Sequence, residues 1–146
     1  HNYPFQDWIL DKWFNWAASK QIPIWLPAST EFLWERTDVE PADVYAIAAA
    51  HPDVPIILSE VHYRSVGWTL PMLKSLPNIY IDLSWWYVTD GLTTLVELIG
   101  EERVIFGSRF PDASMAPMLY SLDRYGFEKK ILAAICSGNL ERLLRL

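Results

Sequence analysis

The sequence predicts an α/β protein in which about four parallel strands alternate with helices. Three observations carry this. Short apolar, β-branched runs recur at Ile22–Leu26, Val54–Leu58, Ile79–Leu83 and Val104–Phe106, each long enough for a strand and too short for a helix. Helix-sized segments lie between them, so neighbouring strands need crossovers and a parallel sheet follows. The runs are continuous rather than alternating, as expected of strands covered on both faces.

Each element has a local reason. Asp7 to Lys20 carries Leu10, Trp13, Phe14 and Ala17 at helical spacing. The strand at Ile22–Leu26 closes at Pro27, and Ala28 to Glu40 reads as one long connection. Pro41 opens an Ala-rich helix that breaks at His51-Pro52. Gly67 to Leu76 is helical in spite of Pro71, and Pro77-Asn78 ends it. Asp90 can cap the helix that runs to Ile99, with Gly100 at its left-handed end. Helices between Ala116 and Leu146 finish the chain, the last two separated at Ser137-Gly138-Asn139, with Gly138 as a stop and Asn139 as a start. Residues 1–146 form a single domain without linker, repeat or low-complexity segment.

Composition narrows the function. The chain is 51% hydrophobic and 21% charged, so it can bury a core. Its net charge of −6 argues against a nucleic-acid partner, and Lys129-Lys130 reads as solvated helix surface. No apolar run approaches ~18 residues, so no membrane span is expected, and no signal peptide opens the chain. Cys136 is the single cysteine, which excludes an internal disulfide and a thiolate zinc site; on its apolar helix it should be a buried thiol rather than a nucleophile, and the protein is expected in the cytoplasm. A Gly-rich phosphate loop is missing. The eight tryptophans are Trp8, Trp13, Trp16, Trp25, Trp34, Trp68, Trp85 and Trp86. Most should be packing residues, while Trp25, Trp85 and Trp86 stand near strand ends and could wall a pocket.

In a parallel fold the site is built at the strands' carboxyl ends. There the chain places Glu60, His62, Asp82, Ser108 and Arg109. Arg109 is a permanent cation with no lone pair for a metal. Glu60 and Arg109 either form an ion pair across the site or point separately to solvent. Asp82 either bonds backbone at its strand end or orients a polar group. Asp112 reads as a turn residue, and His51 as structural. Ser59, Ser84 and Ser108 could hold a small polar ligand, but no His–Asp companion makes one a nucleophile.

Four strings, "HPDVPIILSE", "LPNIYIDLSWW", "LVELIGEERVIFGSRFPD" and "ILAAICSGNLERLL", occur in this order with helix-sized gaps. Together they resemble the amidohydrolase-2 family of metal-dependent hydrolases, which includes decarboxylases and lactonases. The resemblance implies a partial (β/α)8 TIM-like barrel, the later half of a fold of typically ~250 residues. It makes His1 to Phe5 the tail of a preceding strand's loop and implies a missing N-terminal half-barrel or a homo-oligomer to cover exposed sheet edges. His1 would then face the site or be a disordered terminus.

The resemblance also gives the site residues an address. "QIPIWLPAS" is similar to the family's "GIPVLLHTG", which puts Pro27 where a metal histidine stands. "PIILSEV" puts Glu60 at a second histidine, and "FGSRFP" puts Arg109 at the aspartate that binds metal and handles the proton of the attacking water. These residues imply that no metal is held in the usual way. Zinc or another divalent ion is expected only if the site survives in another form, with Glu60 a possible ligand and His62, two residues on, either a displaced ligand or a loop histidine. Two functions remain open: a hydrolase-like or decarboxylase-like enzyme, and a non-catalytic barrel remnant that binds a small carboxylated molecule through Arg109 or acts as a structural partner.

Overall fold

The computed structural model describes residues 5–32 and 35–146, with the backbone alone for 29–32 and 35–38. His1 and Trp34 lie outside the described residues. The chain begins with α1 (Asp7–Lys20), which turns Phe14 and Ala17 into the core. Strand β1 (Ile24–Pro27) follows, and then the segment expected to be one long connection forms an antiparallel hairpin of β2 (Ser29–Phe32) and β3 (Glu35–Asp38). Alternation over four residues is too short a signal to reveal such strands in sequence.

After the hairpin come α2 (Pro41–Ala50), β4 (Ile56–Ser59), α3 (Val66–Ser75), β5 (Ile79–Asp82) and a 3-10 turn at Leu83–Trp85. Then follow α4 (Gly91–Ile99), β6 (Val104–Ile105), α5 (Ala116–Arg124), α6 (Lys129–Ala133) and α7 (Asn139–Leu144). Among the described residues, β1, β4, β5 and β6 form one parallel sheet in that order. This is the parallel sheet of four strands that the alternation predicts, as the later half of the barrel that the resemblance implies.

The two faces of the sheet differ. Leu26, Ile56, Leu58, Ile79, Ile81 and Val104 point to the helices and make the main core. Ile57 and Ile105 point the other way and meet Leu143, with Tyr80 and Leu140 packed beside them. Trp25 is in register with Ile57, so it belongs to this inner face, where it is 43% exposed. Successive residues alternate across a strand, and the same alternation places Asp82 with Tyr80 on the inner side.

The amino ends of the strands are tied by side chains that donate to backbone carbonyls. Asn78 Nδ2 lies 3.0 Å from the Ala48 oxygen, 3.1 Å from that of His51 and 3.2 Å from that of Val54. Arg103 Nη1 reaches the carbonyls of Leu73, Leu76 and Ile79 at 2.9, 3.0 and 3.3 Å. Asn139 Nδ2 donates to Glu101 at 2.7 Å and Val104 at 2.8 Å.

That last contact corrects one expectation. Asn139 does not start a helix by capping, because its side chain is spent on the β6 loop; Gly138 stays right-handed at φ −57°, and a π-helical turn at Ala134–Gly138 carries the chain through. The wider turn buries Ile135 and leaves Cys136 exposed, not buried as expected. Asp90 precedes α4 but makes no side-chain cap; it is left-handed at φ 50°, and its carbonyl accepts from Thr94. Gly100 has positive φ, 80°, but an extended ψ of 155°, because the chain leaves α4 straight into a 3-10 turn. No described helix is long and apolar enough to cross a membrane.

Candidate site at the carboxyl end of the sheet

Two strand ends turn sharply. Glu60, directly after β4, has φ 57°, and Arg109, four residues after β6, has φ 59°. Left-handed backbone is uncommon for residues with a Cβ and costs on the order of 1 kcal/mol or more each. Both turns bring their side chains to one place. Arg109 Nε lies 3.7 Å from Glu60 Oε1, with the side chains 26% and 29% exposed. This is an ion-pair distance but too long for a hydrogen bond.

Trp85 supplies the other contact. The Arg109 guanidinium carbon stands 4.1 Å from the centre of its ring, a cation–π geometry. The His62 ring meets the same indole edge-on, centroids 6.0 Å apart. His62 is buried, and its Nδ1 accepts the Arg64 amide at 3.1 Å. The neutral ring therefore carries its proton on Nε2.

Asp82 ends β5 and is buried. Its Oδ1 accepts the Ser84 amide at 2.7 Å. Burial pushes its pKa above the usual carboxylate value, while hydrogen bonds from Ser84 and Trp25 work in the opposite direction. Trp25 thus reaches across the inner face to the β5 strand end. Gly107 gives Asp82 its room: any Cβ there would lie 2.6 Å from Asp82 Oδ2. The sequence shows a glycine in a turn but not that a carboxylate lies against it.

Glu60, His62, Trp85 and Arg109 therefore gather at one point, and Trp25 and Asp82 join through the inner face. Ser108 serves its own loop, its hydroxyl accepting the Phe110 amide at 3.3 Å. Pro27 sits in register with Ser59 at the end of β1. Trp86 does not join Trp25 and Trp85; it is buried in the main core. Asp112 lies in a turn. His51 accounts for itself at the opposite end, its Nε2 being 2.7 Å from Asp7 Oδ1. With Asp11, these two make a further group of ligand-type atoms within 4.8 Å of one another.

Solved structures share this architecture. An uncharacterised TIM-barrel protein from Bordetella bronchiseptica is 17% identical, with a TM-score of 0.78 over 98% of this chain and 52% of its own. A dihydroxybenzoic acid decarboxylase from Polaromonas, solved with manganese and 2-nitroresorcinol, is 14% identical with a TM-score of 0.71, covering 99% of this chain and 55% of its own. An amidohydrolase from Burkholderia multivorans with bound zinc is 16% identical with a TM-score of 0.68, covering 99% of this chain and 63% of its own. The chain spans roughly half the length of the first two. No curated protein matches it in sequence. The profile of the amidohydrolase-2 family, described as "Amidohydrolase", matches residues 26–146, and the chain belongs to that family.

Proposed function

We propose that this chain keeps the amidohydrolase fold but binds a small carboxylated molecule at the carboxyl end of the sheet without the family's metal centre. The observation that carries this reading is the Glu60–Arg109–Trp85 group, which stands where the resemblance puts the family's ligands. The residues at the family's ligand positions do not fit a hydrolytic metal. Pro27 has no ligating side-chain atom, and Arg109 brings a positive charge with no lone pair. Glu60 alone is a metal-type donor among the three, and its Oε1 faces a guanidinium. No metal-assisted step is derived for these residues.

The same residues suit an anion. A guanidinium has five N–H donors in a planar fork, and the contact to Glu60 engages the Nε edge. The fork can grip a ligand carboxylate while Trp85 holds its plane and Trp25 offers an apolar wall. Relatives by fold act on such molecules: one is a 5-carboxyvanillate decarboxylase from Sphingomonas paucimobilis, and another is a 2,6-dihydroxybenzoate decarboxylase complexed with 2,6-dihydroxybenzoate. As part of the same reading we place the protein in the cytoplasm, with β1 and β6, the edges of the described sheet, covered by a second copy or another barrel segment.

Two measurements test the proposal. Elemental analysis of purified protein should give no stoichiometric zinc or manganese. Calorimetry with 2,6-dihydroxybenzoate should show binding that weakens at least about tenfold in Arg109→Gln, as expected for loss of a charge-assisted pair. Stoichiometric metal removed by a chelator together with binding would sink the proposal.

A further inference from the structure

Helix α1 leads through a left-handed turn at Gln21 into β1, an edge of the described sheet. Its outer face is aromatic. Trp8, Trp13 and Trp16 are 79%, 67% and 50% exposed, whereas α3 and α4, over the middle of the sheet, expose no large apolar side chain. A concentration of this kind on one helix marks an interaction surface. An indole offers up to about 250 Å², so the three together show about 450 Å². A standard interface takes about 800 Å² from each partner, so this one helix supplies about half of it.

The charges on this face say what covers it. Residues four apart lie on one stripe of a helix, and along α1 that stripe reads Trp8, Lys12, Trp16, Lys20, all exposed. Trp13 meets Trp16 edge-on, centroids 6.4 Å apart, and widens it. Asp7 and Asp11 lie off the stripe and are engaged elsewhere, by His51 Nε2 at 2.7 Å and by Asn15 Nδ2 at 2.7 Å. A strand is poorly received beside β1. The amides of Ile24 and Ala28 donate to the β4 side, at 2.8 Å to Pro55 and 2.7 Å to Ser59. The alternate residues 23, 25 and 27 therefore face the free edge, where Pro23 and Pro27 have no N–H to give.

We propose that the α1 face is a dimer interface, and that its occupant is the same face of a second copy of this chain, turned antiparallel about a two-fold axis. An alternating stripe of four is complementary to itself when reversed. Trp8 then stands opposite the partner's Lys20 and Lys12 opposite the partner's Trp16, and the two-fold repeats both pairs. Each indole meets an ammonium, a cation–π contact, so the stripe's charges are matched without an acidic residue. This rests on the reading above that the β1 edge is covered, commits it to a second copy and to helix packing rather than strand addition, and is independent of Arg109.

Sedimentation velocity of the purified chain at micromolar concentration should show twice the mass of one chain. Trp16→Ala should weaken the dimer at least about tenfold, and Lys12→Ala about fivefold. Far-UV circular dichroism should not change in either, because both side chains are exposed. Lys12→Arg, which keeps the cation, should retain the parent affinity. In a Trp16→Ala background, Lys12→Ala should change it by less than about twofold, since the facing indole is already gone. A dimer indifferent to Trp16→Ala, losses that simply add in the double variant, or a monomer that binds phosphatidylserine vesicles through this face overturns the proposal. So does a chain that stays monomeric without them; that result leaves another barrel segment as the cover of β1 and leaves carboxylate binding, read by calorimetry, untouched.

Discussion

Arg103 and Arg109 stand six positions apart, on either side of β6, and they do opposite things. Arg103, at the amino end, gives Nη1 to the carbonyls of Leu73 in α3, Leu76 just after it and Ile79 in β5, and Nε to the carbonyl of Ile99 at 3.2 Å. It ties three chain segments together through their backbone carbonyls. Arg109, at the carboxyl end, rests on an aromatic face and stands 3.7 Å from a carboxylate, on a left-handed backbone. The first arrangement is closed and the second is open to a ligand. The contrast repeats across the sheet. Asn78 and Asn139 lock the amino end with backbone bonds, while the carboxyl end collects charge, indoles and strained turns. In parallel α/β folds the two ends divide in this way because loops after the strands are free to vary once loops before them hold the sheet.

The sharpest way to break this comparison is to truncate both arginines. Arg103→Ala should cost about 3 kcal/mol in urea unfolding, since it orphans carbonyls that a charged donor satisfied. Arg109→Ala should cost under about 1 kcal/mol, the range of exposed ion pairs, and should remove carboxylate binding. Similar losses in both would erase the division between the ends.

Gly107→Ala comes next. The added methyl would run into the Asp82 carboxylate, and about 2 kcal/mol of destabilisation is expected from overpacking. The Trp25 and Trp85 fluorescence environment should shift with it. A neutral effect would mean that Asp82 is free to move and does not hold the site.

The smallest effect concerns pH. Asp82 titrates above its ordinary value of 3.8 because burial favours the neutral form. The folded chain then keeps a proton that the unfolded chain has released. Its contribution is full below 3.8 and is lost as pH rises through the raised folded value. Asp82→Asn, which cannot ionise, should flatten the fall in stability between pH 4 and pH 7 relative to the parent. A parallel fall in both proteins, measured by urea unfolding at the two pH values, would refute the assignment.

The sequence made much of this legible, for reasons that can be named. Continuous β-branched runs gave the four parallel strands, because burial on both faces demands them. Four ordered strings gave the family, and the charge types at Glu60 and Arg109 were plain from the residues themselves. The β2–β3 hairpin was hidden because four-residue strands carry too little pattern. Cys136 came out on the surface because a π-helical turn, set by Asn139 reaching back to the β6 loop, rotated the helix past the position that simple periodicity assigns it.

What the sequence determined by itself is therefore the alternation of the four parallel strands with helices, the family and the absence of ligating atoms at Pro27 and Arg109. These depend on residue type and local spacing alone. Only the tertiary structure decided that Trp85 lies under Arg109, that Asp82 presses on Gly107 and that Trp86 is buried in the main core, apart from its neighbour. Each of these depends on where distant strand ends meet and on the direction of a side chain within a turn, and neither is encoded by spacing along the chain.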